Sequence, residues 1–285
     1  MEFKVTKECR LLDFLFEQMP DRSRTTVKSY LTHRQVSVGD TLTTRFDYAL
    51  SAGDTVSVSR QKGKPELQSN MLRIVYEDDA IIVIDKREGL LSMATDKEQQ
   101  RTAYYILSEY VKAESPQNRI FIIHRLDRET SGLMVFARSE EIQEKMQRSW
   151  RETIIDRRYV AVTEGTPDTP EGTIETFLTE DRNHKVWVSR DEEGDKAVTH
   201  FRVIASGNRY ALLDLKLQTG RKNQIRAHLE WLKHPIAGDK KYGAQTNPLR
   251  RVCLHAYRLH ICHPIDGREL HFETPVPKSF SEIVK

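Results

Sequence analysis

The stretch FIIHRLDRETSGLMVFAR, residues 121–138, places a cluster of charges between two apolar runs that are typical of buried strands. Asp127 lies between Arg125 and Arg128 at the point where the first run stops. Because nearby guanidinium groups favour a charged carboxylate, we expect a low pKa for Asp127. An ionised aspartate suits the work of a nucleophile or a base, and we expect the TSG of residues 130–132 to turn the chain beside it. A surface aspartate satisfied by its neighbours is the alternative.

The overall composition bounds the class of protein without deciding it. With 285 residues the chain can form one large domain and a small one, and its 38% apolar residues support a packed core. The net charge of +3 alone does not indicate a nucleic-acid binder, but two clusters of basic residues indicate contact surfaces for a polyanion. Merely solvated faces are the alternative for each cluster. The candidate contact residues are Arg22, Arg24, Lys28 and Arg34 in the first cluster and Arg221 and Lys222 in the second.

Cysteine usage and the N-terminal sequence indicate the compartment. Cys9, Cys253 and Cys262 are too few, and odd in number, for a disulfide framework. The first ten residues, MEFKVTKECR, lack the apolar core of a signal peptide, and no apolar run is long enough to cross a membrane. We therefore expect a cytoplasmic protein without membrane attachment.

A zinc site is the alternative that the C-terminal histidines and cysteines raise. The residues Cys253, His255, His260, Cys262 and His263 are of the types that zinc prefers. Alternation along a strand would place 253, 255 and 263 on one face but 260 and 262 on the other, and no C-x-x-C pair occurs. We therefore expect no metal.

The chain changes character near residue 60, which predicts a small module of residues 1–60 and a larger domain of residues 71–285. The module carries an apolar helical stripe, a Ser23 that can cap a second helix, and a Gly39-Asp40 turn between short strands. Residues 61–70 are polar, contain Gly and Pro, and are predicted to be a linker.

The small module resembles a known RNA-binding module. Its helix pair, the turn RQVSVGD (34–40) and the AGD (52–54) before its last strand are similar to the module first seen in a ribosomal small-subunit protein, the S-four type. That module presents its second helix and the following turn to RNA, so the resemblance implies an RNA-binding role for residues 1–60. A small α/β appendage without this role is the alternative.

The larger domain combines many strand-like runs with few helices. Helical patterns occupy residues 100–113, 139–150 and 224–232, and hairpin-length loops join the strand-like runs between and after them. This pattern predicts a mixed α+β domain with a largely antiparallel sheet.

Five motifs in this domain occur in a fixed order. They are HRLDRETSG (124–132), RRYVAV (157–162), TGRKNQIRAHL (219–229), HPIAGDKKYG (234–243) and LHAYRL (254–259) followed by HP. Together they resemble the RluA-type family of RNA pseudouridine synthases, from about Leu72 to Pro277. The resemblance implies a pseudouridine-synthase-type fold, with a mixed, largely antiparallel sheet and flanking helices. It also implies an enzyme that isomerises specific uridines to pseudouridine in structured RNA.

The resemblance implies a role for four residues. Asp127 would be the catalytic carboxylate of a reaction that breaks the uridine N-glycosidic bond and rejoins uracil to the ribose through C5, without cofactor, nucleotide or metal. Arg226 would pair with Asp127 and keep it ionised, whereas an exposed helix arginine is the alternative. Tyr159 would stack on uracil and its hydroxyl could take part in proton removal from C5, with packing in the core as the alternative. Arg125 would fill or open the base stack when the uridine flips out.

Two positions depart from the family pattern, and they bear on the RNA recognised rather than on the chemistry. Asn223 stands where the family commonly has histidine, and Arg87 stands where it commonly has proline. An appended RNA-binding module favours ribosomal RNA over transfer RNA, and we expect a monomer. The rival from another class is a non-catalytic RNA-binding or ribosome-assembly protein, against which the trio of Asp127, Tyr159 and Arg226 argues.

Overall fold

The computed structural model describes residues 1–60, 63, 66–189 and 194–285. The chain forms two compact units, the first made of Met1–Leu67 with Lys112–Pro116 and the second of Gln68–Val111 with Gln117–Lys285. Part of the linker predicted over residues 61–70 lies outside the described residues. The division into an RNA-binding module, a linker and a catalytic domain stays a prediction.

The first 60 residues form two helices against short strands. Ser23 begins the second helix, where its Oγ accepts the backbone N–H of Thr26 at 3.1 Å, as the sequence predicts. The Gly39-Asp40 turn also occurs as predicted, and Leu15 and Leu31 lie in the buried core. The elements are β1 (Glu2–Lys4), β2 (Cys9–Arg10), α1 (Leu11–Gln18), α2 (Arg24–Thr32), β3 (Val36–Val38), β4 (Thr41–Leu42), β5 (Ala49–Leu50) and β6 (Thr55–Val58).

The rest of the chain follows the predicted mixture of many strands and few helices. Ser139 caps one of the predicted helices by accepting the N–H of Ile142 at 3.2 Å. The elements are β7 (Leu72–Glu77), β8 (Ile81–Lys86), α3 (Ala103–Glu114), β9 (Phe121–Ile122), β10 (Ser131–Ala137), α4 (Glu140–Arg148), α5 (Trp150–Thr153), β11 (Ile154–Glu164), β12 (Glu171–Glu180), β13 (Val186–Val188), β14 (Asp195–Ser206), β15 (Tyr210–Leu217), α6 (Gln224–Trp231), a 3₁₀ turn (Lys240–Tyr242), β16 (Leu254–Cys262), β17 (Glu269–Glu273) and α7 (Lys278–Glu282).

One large sheet organises this part of the molecule. Among the described residues it has eleven strands in the order β13-β12-β14-β15-β11-β16-β10-β8-β7, with β9 beside β10 and β17 beside β16. Its neighbouring strands are antiparallel, except that β10 and β16 run parallel. The predicted mixed domain with a largely antiparallel sheet is therefore confirmed. The parallel pair sets residues 131–132 beside residues 255–256 within this sheet.

The segment Thr130-Ser131-Gly132, expected to form a turn, instead leads into strand β10. The turn lies one step earlier, at residues 128–129. Gly132 has a φ of +117°, and a side chain there would overlap the backbone of Ala256 in β16. The glycine is thus required because two strands approach closely and not because the chain turns there.

Helix α6 buries Arg226, and this excludes the exposed helix arginine that the sequence left as an alternative. Its residues 224–229 are all buried. Gln224 fixes the preceding turn, since its Nε2 donates to the carbonyl of Val198 at 3.0 Å and its Oε1 accepts from Thr219 Oγ1 at 2.8 Å. None of the described helices is long and apolar enough to span a bilayer.

Candidate active site

A cavity of about 180 Å³ is lined by the three residues that the resemblance selects for catalysis. Its walls include Asp127, Tyr159 and Arg226, together with Arg125 and the turn of residues 220–225. These residues come from the loop before β10, from β11, and from α6 with the turn before it. The fold therefore brings together residues that are widely separated in the sequence.

The loop that carries Asp127 is held on both sides of the residue. Ser92 Oγ donates to the carbonyl of Leu126 at 2.6 Å and accepts the N–H of Leu126 at 3.1 Å. The N–H of Thr130 donates to the carbonyl of Asp127 at 3.1 Å. The backbone is thereby fixed while the side chain, 22% exposed, lines the cavity.

Arg226 contacts two aspartates in different ways. Its Nε and Nη2 donate to the two carboxylate oxygens of Asp239 at 2.6 and 2.8 Å, and Asp239 is only 1% exposed. Its Nη1 lies 3.6 Å from Oδ2 of Asp127 and 3.4 Å from Oε2 of Glu129. The expected pairing with Asp127 is present, but the shorter bonds go to Asp239, which the sequence analysis did not select.

The expectation of a low pKa for Asp127 is wrong. Burial raises the pKa of this carboxyl above its ordinary value, and Arg226 opposes that effect while Glu129 adds to it. The arginines adjacent in sequence do not compensate. Arg128 directs its Nε to a backbone carbonyl at 3.1 Å, and the exposed Arg125 lowers the pKa less than burial raises it.

Tyr159 belongs both to the core and to the cavity wall. Its side chain is buried, and the pairing of β11 with β16 is irregular between Arg158 and Tyr159. Such irregularities in pairing redirect side chains, here at the cavity wall. Burial raises the pKa of Tyr159, so the phenol keeps its proton at neutral pH. Packing in the core and a place beside the target base were the two alternatives for Tyr159 from the sequence, and its position is compatible with both.

Lys86 is a fully buried cation near the site that the sequence analysis did not select. Its Nζ donates to the carbonyls of Leu90 at 2.8 Å, Arg87 at 3.0 Å and Arg128 at 3.5 Å. Burial lowers the pKa of Lys86 to about 8, although Asp127 and other carboxylates oppose the shift. The lysine thus ties the segment after β8 to the loop that carries Asp127. Its signal in the sequence is a lysine that follows the apolar run IIVI (81–84) and Asp85.

The predicted RNA contacts of the first unit differ in exposure. Arg22, Arg24 and Lys28 are exposed at or near the start of α2. Arg34 is partly buried, and its Nη1 pairs with Glu66 at 2.6 Å. Three of the four residues therefore present their charge to solvent, and the fourth is neutralised by a carboxylate.

The other predicted contacts lie at the cavity itself. Arg125, Arg221 and Lys222 line the cavity and remain exposed. Arg221 lies 3.2 Å from Asp195, and Lys222 pairs with Glu180. Exposed ion pairs of this kind contribute little to stability, so phosphate groups can replace the carboxylates.

The five residues weighed as a zinc site do not converge. Both ring nitrogens of His255 contact hydroxyl groups, at 2.8 and 3.0 Å. In the part of the chain that the structure describes, three possible ligand side chains meet only at His260, Glu269 and His271. Of the five residues only His260 belongs to that group, so the five do not form the zinc site considered from the sequence.

The site combines a buried carboxylate, a guanidinium group directed at it, an aromatic wall and a margin of exposed cations. This combination, in a largely antiparallel sheet, suits an enzyme that acts on a single base of a nucleic acid. A family model described as RNA pseudouridylate synthase matches residues 80–231. The chain belongs to that family and is an RNA pseudouridine synthase, an isomerase.

Similar proteins support the assignment over almost the full length. The chain is 31% identical to ribosomal large subunit pseudouridine synthase D of Escherichia coli O157:H7, over 97% of this chain and 90% of the relative. It is 32% identical to the protein of the same name from Vibrio cholerae, over 96% and 90%. A solved structure, human RNA pseudouridylate synthase domain containing 4, is 26% identical with a TM-score of 0.59 and covers 73% of this chain and 90% of its own.

Proposed function

We propose that this enzyme isomerises specific uridines of large-subunit ribosomal RNA, with Asp127 as its catalytic carboxylate. The position of Asp127 carries the proposal, because its side chain lines a cavity, 3.6 Å from Arg226 and with Tyr159 among the lining residues. The relatives from Escherichia coli O157:H7 and Vibrio cholerae, which match over nearly the whole chain, are named for the large ribosomal subunit, and this favours ribosomal RNA over transfer RNA.

The target uridine has to leave its base stack, since stacking hides the bond that must break. The exposed Arg125 is suited to fill the space that the base vacates, and the ring of Tyr159 is suited to stack on the extruded uracil. Arg226, fixed by Asp239, directs its remaining Nη1 towards Asp127. The residues proposed to stack on the base, to hold the carboxylate and to carry out the reaction therefore line one cavity.

The reaction conserves all atoms of the uridine. The bond between C1′ and N1 breaks, uracil turns, and a bond forms between C1′ and C5. The proton on C5 leaves and N1 gains one, so no redox partner is needed. The carboxylate of Asp127 serves as nucleophile or base. Because burial raises the pKa of Tyr159, its hydroxyl acts as a hydrogen-bond partner for the proton in transit rather than as a phenolate.

The proposal includes an RNA-binding role for residues 1–60. The exposed charges of Arg22, Arg24 and Lys28 are suited to backbone phosphates, which would hold the enzyme on structured RNA. The proposal includes a cytoplasmic monomer, as the sequence predicts.

The test compares wild-type enzyme with Asp127→Ala on two substrates, transcripts of large-subunit ribosomal RNA and total transfer RNA. Pseudouridine is mapped at single-nucleotide resolution, and RNA binding is measured in parallel. We expect pseudouridine in the ribosomal transcript with wild type only, and RNA binding by both proteins. Pseudouridine in transfer RNA alone would contradict the substrate. Activity that survives in Asp127→Ala would contradict the role of the carboxylate, and binding without any turnover would favour a non-catalytic RNA-binding or ribosome-assembly protein.

A further inference from the structure

The carboxylate of Asp127 has a neighbour that the proposed mechanism does not use. One atom of the Asn223 amide lies 2.7 Å from Oδ2 and 3.0 Å from Oδ1 of Asp127. The other amide atom lies 3.1 Å from Oη of Tyr242, whose side chain is fully buried. The N–H of Val186 donates to the same Oη at 3.2 Å. A chain of hydrogen bonds therefore runs from the cavity wall into the interior.

Hydrogen-bond chemistry decides how the amide is oriented. An ionised carboxylate only accepts, so the atom that faces Asp127 is Nδ2, which donates. The hydroxyl of Tyr242 accepts from Val186 and so has its proton left for Oδ1 of Asn223. In the reverse orientation, the amide oxygen would accept from Nη1 of Arg226 at 3.3 Å. It would also face two carboxylate oxygens that offer it no proton, so this orientation is disfavoured.

The backbone explains why an asparagine suits this position. Asn223 has a φ of +50° and a ψ of +20°, in the left-handed region, immediately before α6. Asparagine, aspartate and histidine are enriched in that region, so the histidine common in the family would fit the same backbone. Arg226 follows three residues later, about one helical turn, and therefore lies on the same side. Amide and guanidinium together flank the carboxylate.

We propose that Asn223 is a positioning residue for Asp127, whose carboxylate it holds with two hydrogen bonds while Tyr242 holds the amide in place. The inference rests on the proposed catalytic role of Asp127. Hydrogen bonds to the ionised form favour that form, and they oppose the effect of burial at this site. An amide offers these donors at every pH, whereas a histidine adds a group that titrates near neutrality.

The experiment measures single-turnover isomerisation against pH for wild type and three variants. Asn223→Gly removes the amide and keeps the left-handed backbone without strain. We expect its rate to fall about 10- to 100-fold, because two bonds to a charged group are lost, with RNA affinity unchanged. We also expect the acid limb of its pH profile to move to higher pH, since Asp127 becomes harder to ionise.

The other two variants test the orientation of the amide. Asn223→Asp places a second carboxylate against Asp127, and we expect a loss at least as large as in the glycine variant. Asn223→His restores an N–H donor, and we expect most of the rate to return, together with a new dependence on pH near the ordinary pKa of histidine. The thermal unfolding of each variant is measured as a control. If Asn223→Gly does not fold, Tyr242→Phe replaces it, with a smaller loss and the same direction of shift expected.

Three results would overturn the inference. The first is a glycine variant with the rate and pH profile of wild type, and the second is an aspartate variant as active as wild type. The third is a loss of rate in Asn223→Gly with no shift of the acid limb and no recovery in Asn223→His, which would indicate a structural role alone. Activity in Asp127→Ala would instead contradict the proposed function, whatever Asn223 does.

Discussion

The cations beside Asp127 in the second unit are buried, whereas those at the start of α2 in the first unit are exposed. Around the cavity, Arg226 and Lys86 are 6% and 0% exposed, and both donate to carboxylates or carbonyls at short distances. In the first unit, Arg22, Arg24 and Lys28 are exposed. Buried cations orient and neutralise single groups, whereas exposed cations offer a charged surface to a polyanion. The net charge of +3 does not distinguish these two roles, because buried and exposed cations contribute equally to it.

The largest expected effect comes from removing the negative charge of Asp127, which lies near the buried cations. Asp127→Asn keeps the size of the side chain but removes the charge, so we expect isomerisation below detection while RNA binding persists. The measurement is pseudouridine formation from a ribosomal RNA transcript. Glu129→Gln is the matched control, because Glu129 also lies within 3.4 Å of Arg226 but is 45% exposed, and its loss of rate should be far smaller. Equal losses in the two variants would remove the distinction between the carboxylates.

The next effect concerns stability. Asp239→Ala leaves the buried guanidinium of Arg226 without its bidentate acceptor, and we expect the free energy of unfolding to fall by about 3–5 kcal/mol. The double variant Asp239→Ala with Arg226→Met should recover part of this loss, because the unpaired charge is gone. Urea unfolding measures both. Lys28→Ala, in the exposed set, should change stability by less than about 0.5 kcal/mol, and a similar small value for Asp239→Ala would refute the contrast.

Lys86 makes stability depend on pH. Its pKa is about 8 in the folded chain and rises towards the ordinary value of 10.5 on unfolding. Between these values the unfolded chain binds more protons, so the contribution of Lys86 to the free energy of unfolding increases with pH, by up to about 3 kcal/mol. Lys86→Met should lack this increase. The check is urea unfolding of both proteins across that range, where the free energy of unfolding of wild type minus that of Lys86→Met should rise with pH. A constant value of this difference would argue against a buried cation.

The smallest effects belong to the exposed cations. Single variants Arg22→Ala and Lys28→Ala should each weaken RNA binding a few-fold at low salt and lower the slope of log affinity against log salt by about 1, with the rate at saturating RNA unchanged. Arg34→Ala is the comparison within the same unit. Its guanidinium already pairs with Glu66, so its effect should be smaller still. If the slope of log affinity against log salt were unaltered in all three variants, the RNA would bind to a surface other than that of Arg22 and Lys28.

Local chemistry made much of the fold predictable. The Ser23 cap occurs where the sequence predicts it, because a cap depends on residues three positions apart. The error at residues 130–132 has the opposite cause. Gly132 adopts a positive φ to admit the backbone of Ala256, and no local pattern distinguishes this from a turn.

The resemblance indicated which residues meet at the cavity but not how they bond. It selected Asp127 and Arg226, and the structure has them 3.6 Å apart. The choice of Asp239 as the main partner of Arg226, the two contacts from Asn223 and the raised pKa of Asp127 all depend on burial and on contacts between distant segments. Flanking charges in a sequence are a poor guide to acidity, because side chains that are adjacent along the chain point in different directions.

The parallel pairing of β10 with β16 has a consequence for the order of events during synthesis. Ser131 Oγ contacts His255 Nδ1 at 2.8 Å and accepts from Arg251 Nη2 at 2.8 Å, so the strand after Asp127 depends on residues 120 and 124 positions further along the sequence. Contacts so far apart in sequence require a long loop to close before they contribute free energy. A nascent chain therefore emerges with β10 lacking one of its neighbours. The enzyme becomes competent to modify RNA only after β16 has been synthesised and has paired with β10.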